Sequence, residues 1–406
     1  MTAPPEVAAV RRLSLPEFTA MLAILFATVA FSIDAMLPAL PEIARELSPR
    51  EVNRAQLILT AFVLGMGLGT LFAGPISDAV GRRPAIFGGF ALYAVGALLA
   101  ARAPTLELLL AARVIQGLGA AAPRIVGLAL VRDLYAGREM ARVSSFVMMI
   151  FILVPAVAPS IGAVIIGFAG WRGIFLAFVV FACASALWFG LRQPETLPPE
   201  RRRVLSVGNL AAAAREVLSD RQVLILTAAL TLGFGQMFAL LSSAQQIFGE
   251  TYGRAESFPL WFALMALLAG TGSLLNARLV MHVGMRNLPL RAFAAQAAFS
   301  ALMVAVMSTG WLSGTPAFVG FFVWAVSIFF MAGLVFGNIQ ALALQKMGHI
   351  AGMAASIVTA VSTIASVALA APVGLAYDGT PVPVMAGAAV ASALAFVLMR
   401  MTTEPG

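Results

Sequence analysis

The chain has 406 residues, of which 61% are hydrophobic and 11% charged, with a formal net charge of +8. That much apolar surface exceeds what one soluble core buries, so lipid is the expected solvent. The basic residues are spread over many loops, not gathered on one patch, which excludes a nucleic-acid surface.

A bilayer core takes roughly 20 apolar residues per helix. Runs of that kind fall at 18–38, 55–77, 84–101, 114–131, 145–168, 173–191, 223–243, 258–277, 292–310, 316–340, 351–375 and 380–399. Twelve transmembrane helices are therefore predicted, two of them borrowing a charged first turn, or Arg113, to reach full length. The runs are continuous and rich in Ala, Gly and Leu, unlike the alternating segments of about ten residues that a β-barrel needs. Arg11 and Arg12 precede a first run that exceeds the about 7 to 15 residues of a cleaved signal core, so a retained N-terminus is expected. With that terminus inside, 18 of the 26 Lys and Arg fall on the cytoplasmic side, six outside and two, Arg113 and Arg124, within spans. This agrees with the positive-inside rule and predicts a multi-pass protein of a bacterial inner membrane with both termini cytoplasmic; a monomer is expected.

In chain order, the first run contains Asp34, the only acidic residue inside a span. An ionisable group there costs about 2.5 to 3.5 kcal/mol on insertion scales and is a functional candidate by default. Arg113 lies at similar depth in the fourth run, where its charge can hold Asp34 ionised until a proton or a cationic substrate replaces it. The alternative is that Asp34 caps a helix bent by Pro38 and Pro41. The loop that follows carries Arg45, Arg50 and Arg54 balanced by Glu42, Glu46 and Glu51, and reads as a surface helix. In the second run Gly65, Gly69 and Ala73 recur every four residues, the spacing that lets membrane helices approach closely; the small-residue eleventh run is their expected partner.

Arg124 stands eleven residues after Arg113 and so on nearly the same helix face. Either it faces a cavity, where two arginines against one carboxylate favour an anionic or zwitterionic substrate, or it snorkels to the cytoplasmic interface. Cys183, the single cysteine, is read as packing, and His282 and His349 lack a ligand partner at zinc-like spacing. The segment 192–222, with three prolines, the run Arg201-Arg202-Arg203 and an amphipathic stretch near 211–221, separates a bundle over 1–191 from one over 223–406. Gly81-Arg82-Arg83 and Gly284-Met285-Arg286 follow corresponding spans, as do Ala158-Pro159 and Ala371-Pro372. These echoes suit two pseudo-symmetric six-helix halves with a site between them. In the seventh run Phe234, Phe238, Leu241 and Gln245 form one stripe; the stripe lines a cavity or packs on lipid and helices, and the amides Gln245 and Gln246 meet a ligand or interfacial water.

The only lysine, Lys346, is not in a phosphate-cradling loop, so energy comes from an ion gradient, or from none, unless a separate ATPase subunit takes part. No nucleophile with a base, and no metal cluster, lies within the runs; neither an enzyme nor a cofactor is expected.

Gly74-Pro75-Ile76-Ser77-Asp78-Ala79-Val80-Gly81-Arg82-Arg83 resembles the signature loop of the major facilitator superfamily. Arg113-Val114-Ile115-Gln116-Gly117 resembles its fourth-helix motif, and Ala158-Pro159-Ser160-Ile161-Gly162 its fifth-helix antiporter motif. Met36-Leu37-Pro38 after Asp34, Arg132-Asp133-Leu134-Tyr135, Gly170-Trp171-Arg172 and Glu195-Thr196-Leu197 are similar to the bicyclomycin- and chloramphenicol-resistance branch of drug:proton antiporters, over essentially the whole chain. The resemblance implies an all-α membrane fold and proton-coupled efflux of a small amphipathic molecule. It implies proton coupling at Asp34 and Arg113, and conformational roles for Gly74, Asp78, Gly81, Arg82, Arg83, Asp133, Pro159 and Gly162. Met36 stands where the branch has tyrosine, Arg124 where it has a small residue, and Gln245 near a usual proline; with Phe238 these are the candidate substrate contacts. A proton-coupled importer of a metabolite is the alternative.

Overall fold

The structure, a computed structural model, describes residues 13–135 and 137–402; Arg11 and Arg12 lie outside them. Among the described residues the regular elements are all helices. These are α1 (Leu15–Asp34), α2 (Leu40–Leu47), α3 (Leu57–Val80), α4 (Arg82–Ala101), α5 (Leu106–Leu134), α6 (Gly137–Arg192), α7 (Val207–Ser219), α8 (Arg221–Gln246), α9 (Phe258–Val283), α10 (Asn287–Ser308), α11 (Gly314–Leu344), α12 (Ala351–Leu375) and α13 (Val382–Arg400). The short α2 is the expected surface helix, burying Leu40, Ile43 and Ala44. Its acids are not all spent on its own loop: Glu51 pairs with Arg54, whereas Glu46 pairs with Arg172 at 2.7 Å.

Helix α6 has 56 residues, about 84 Å at 1.5 Å per residue, nearly three times a bilayer core. It is two crossings joined at Gly170, whose φ of 64° and ψ of −177° break the helix; a side chain rarely tolerates that backbone. Trp171 Nε1 then donates to Glu46 Oε2 at 2.7 Å, holding the bend against α2. With α6 counted twice and α2 and α7 lying outside the membrane, the chain crosses twelve times. The fourth and ninth crossings, α5 and α10, start earlier than their apolar runs, at Leu106 and Asn287, because Arg113 and Arg291 are carried inside the helix.

The crossings form two six-helix bundles. Both α3 and α9 end at a glycine of positive φ, Gly81 at 108° and Gly284 at 87°, so the echo between the halves is a repeated backbone turn. The face holding these turns, the Arg201-Arg202-Arg203 linker and α7 is called here the basic face, and the opposite one the far face. On the basic face His349 Nε2 meets Glu216 Oε1 of α7 at 2.7 Å.

The glycine stripe of α3 meets a different neighbour from the expected one. A Cβ at Gly65 would fall 2.0 Å from the Val114 carbonyl oxygen and one at Gly69 2.5 Å from that of Leu118, so these glycines seat α3 on α5. Contact with α12 runs through Gly67, about 200° round the helix, against Ile364, and through Gly74 against Ser356.

Candidate functional site

Helix α1 is buried along most of its length, and the polar centre lies against its far half. Arg113 of α5 is fully buried. It donates to Gln116 Oε1 (2.7 Å), the Ser32 carbonyl (3.1 Å) and the Ile58 carbonyl (3.3 Å), and its guanidinium carbon sits 4.3 Å from the Phe62 ring centre. Gln116 is buried with its Nε2 unpartnered. Ser32 Oγ donates to the Thr28 carbonyl at 2.5 Å and shares a 2.6 Å bond with Tyr93 Oη. With the serine proton already given to Thr28, the phenol is the donor.

Asp34, the last residue of α1, is 4% exposed. Among the described residues it makes no hydrogen bond or ion pair, so the expected Asp34–Arg113 pair is not formed in this conformation. Depth in the membrane is not the obstacle; Asp34 lies two residues, about 200° of helix turn, past the Ser32 carbonyl that Arg113 grips. The next residue, Ala35, receives α6: a Cβ at Gly162 would lie 1.9 Å from the Ala35 carbonyl oxygen. Gly162 and Pro159, which is also buried, therefore bring the fifth crossing onto the end of the first, beside Asp34.

The other candidates sit apart from this centre. Met36 is fully buried in the hydrophobic core. Phe238 is buried and packs 6.1 Å from Phe234, which lies 4.5 Å from Phe336. Gln245 is 4% exposed, with a buried, unpartnered Oε1, which removes it from the water interface. Arg124 is half-buried and has no hydrogen bond or ion pair among the described residues. Its neighbours Ile125 and Val126, not Arg124 itself, line a cavity of about 460 Å³ on the basic face, together with Gly74, Asp78 and Asp133.

The signature loop forms a second cluster at that cavity. Arg82 donates to Asp78 Oδ1 (2.5 Å), Ser77 Oγ (2.6 Å) and Asp133 Oδ2 (2.9 Å). Glu195, read in the sequence only as part of a resemblance, caps α4: its two oxygens accept from the Arg82 and Arg83 main-chain N–H groups, both at 2.9 Å. A carboxylate at a helix start satisfies orphan donors and faces the positive end of the helix. Arg83 reaches the Gly190 carbonyl at 2.7 Å.

A third group was not foreseen. On the far face Gln56 Nε2 donates to Gln246 Oε1 (2.7 Å), Ser243 Oγ donates to Gln56 Oε1 (2.9 Å), and Gln246 Nε2 donates to Asn53 Oδ1 (2.9 Å). Asn53 Nδ2 donates to the Leu375 and Tyr377 carbonyls at 3.1 and 2.7 Å. These bonds join residues on either side of the bundle interface. The structure is thus locked at the far face and holds its larger interfacial cavity at the basic face.

The family model of the Major Facilitator Superfamily matches residues 22–371. The chain belongs to that superfamily. It is 33% identical over 394 residues to the MFS-type transporter YdgK of Bacillus subtilis, covering 95% of each chain. It is 32% identical over 352 residues to a bicyclomycin resistance protein homologue of Haemophilus influenzae, covering 85% of each. A chloramphenicol resistance protein of Pseudomonas aeruginosa matches at 32% over 260 residues, 63% of this chain and 59% of that one. These relatives mark the resistance branch that the motifs resemble, and the protein is a transporter, not an enzyme. Among solved structures, a D-xylose-proton symporter superposes with a TM-score of 0.74 over 95% of this chain and 97% of its own, at 14% identity; that likeness speaks to the fold alone.

Proposed function

We propose that the protein exports a small amphipathic molecule in exchange for protons, rocking residues 1–191 against 223–406 as a monomer. The basic face is cytoplasmic, in a bacterial inner membrane, with both termini on that side; the conformation described is then inward-facing. The observation that carries the coupling is the pair of buried, uncompensated charges. Among the described residues Arg113 pairs with no carboxylate and Asp34 with no cation, yet Arg113 grips the Ser32 carbonyl two residues before Asp34 on α1. A buried carboxylate without a partner is stable only protonated, so Asp34 holds its proton in this state and releases it when α1 turns the carboxylate towards Arg113 or water. Export as the direction is supported by the relatives named for drug resistance and by Gly162 against the end of α1. Phe238, Gln245 and Arg124 are the proposed substrate contacts, Arg124 meeting an anionic or zwitterionic group in a conformation other than this one, in which it does not line the cavity.

The test uses purified protein in proteoliposomes with an imposed pH gradient and a panel of fluorescent amphipathic compounds. Wild type concentrates at least one compound against its gradient without ATP. Asp34→Asn keeps the shape, loses the titration and retains only downhill exchange. Uphill transport by Asp34→Asn with unchanged pH dependence refutes Asp34 as the proton site.

A further inference from the structure

The C-terminal bundle holds a second cavity, of about 400 Å³, on the far face and away from the α1 centre. Its wall includes Tyr252 and Arg254 from the turn after α8, and Gly314, Thr315, Ala317 and Phe318 from the start of α11. The chain reverses at Gly253, with φ of 63°, and the Arg254 N–H is tied back to the Phe248 carbonyl at 2.7 Å.

The Arg254 guanidinium carbon stands 4.3 Å from the Phe318 ring centre and 5.8 Å from that of Trp261. Contact with ring faces orients the guanidinium without using its N–H groups, and among the described residues they have no hydrogen-bond or ion-pair partner. Two nearby carboxylates are engaged elsewhere, Asp378 accepting from the Thr380 N–H and hydroxyl and Glu250 from Gln246; the third, Glu256, is exposed and outside the cavity wall. Among the described residues Thr315 Oγ1 makes no hydrogen bond, and no side chain caps the first turn of α11 beside it. Burial, and then the nearby Tyr377, push the Tyr252 phenol up to about 12, so it stays neutral; it donates to the Ala317 carbonyl at 3.4 Å. The wall thus offers a cation beside a free hydroxyl, and no carboxylate is among its lining residues. A planar fork of donors beside a hydroxyl and main-chain N–H groups is the arrangement that binds a tetrahedral oxyanion.

We infer that this cavity binds a phosphate group, held by Arg254 with Thr315 beside it. The group comes either from a lipid headgroup or from free phosphate. Trp311, 87% exposed next to the cavity-lining Leu312, stands where tryptophans meet lipid headgroups. The binding does not depend on the transport reading; only the leaflet that supplies a headgroup does.

Two arms test it on the full-length protein in maltoside micelles. Inorganic phosphate is titrated by calorimetry, and in parallel phosphatidylglycerol is added and its retention read by native mass spectrometry. Loss of the fork in Arg254→Gln lowers affinity for the binding species by about ten- to a hundredfold, the equivalent of about 1.5–3 kcal/mol for hydrogen bonds to a charged group; Arg254→Lys falls between. Arg254-dependent binding of phosphate alone identifies a free-anion site, and Arg254-dependent retention of the lipid alone a headgroup site; either supports the inference. If Arg254→Gln unfolds below the wild-type temperature, Thr315→Ala is read instead, with a smaller loss expected. Equal binding of both probes by wild type and a variant of unchanged thermal stability overturns the inference.

Discussion

Replacing Gln56 by alanine removes two of the bonds that join the bundles at the far face, one given to Gln246 and one taken from Ser243. A net hydrogen bond contributes about 0.5–1.5 kcal/mol, so the locked conformation loses about 1–3 kcal/mol, or about 5- to 150-fold in its equilibrium against an opened far face. The upper end applies because Ser243 is 1% exposed and its hydroxyl loses a partner that water does not readily replace. The Asn53 bonds remain, so the lock weakens without vanishing. The only native cysteine, Cys183, is exposed and can be replaced by serine, after which spin labels at Arg50 and Glu256, both exposed on far-face loops of different bundles, report the gap. Pulsed dipolar spectroscopy of Gln56→Ala is expected to show a longer-distance population absent or minor in the parent. Identical distance distributions in parent and variant refute the claim that these amides set the conformational balance.

Three further outcomes follow from the site. Arg124→Ala weakens binding of anionic substrates far more than of neutral or cationic ones, and Arg124→Lys restores it only in part; equal binding of all three charge classes makes Arg124 structural. Gly162→Ala places a methyl 1.9 Å from the Ala35 carbonyl oxygen, so it costs about 1–3 kcal/mol of overpacking and slows transport, read as a lower midpoint of thermal unfolding together with reduced transport in proteoliposomes. Glu195→Ala strips the cap from α4 and lowers stability by about 0.5–2 kcal/mol, measured by thermal unfolding; an unchanged midpoint shows the cap to be dispensable.

The twelve crossings were legible because lipid demands long apolar runs and tolerates few exceptions. Position around each helix was harder to read. The depth of Asp34 and Arg113 follows from counting residues, but not that Arg113 turns to the Ser32 carbonyl, since side-chain direction depends on how three helices meet. The four-residue stripe of Gly65 and Gly69 announces close packing without naming the neighbour; α5 takes that face and α12 takes Gly67. Gly170 gives no sign of the turn it makes, because a glycine in an apolar stretch looks the same whether it continues a helix or reverses it. Glu195 and Gln56 act on partners 113 and 190 residues away, and no local pattern marks such pairs.

The bonds across the far face run between amides, a hydroxyl and main-chain carbonyls, with no ion pair among them. Salt screens charges over about 10 Å at 0.1 M but leaves neutral hydrogen bonds nearly untouched. In the proposed orientation this lock faces the medium, whose ionic strength a bacterium does not control, whereas the charged Arg82 cluster faces the regulated cytoplasm. A door fastened with neutral groups keeps the same grip in fresh water and in brine, so on the proposed orientation this conformation is insulated from the salinity of the medium it faces.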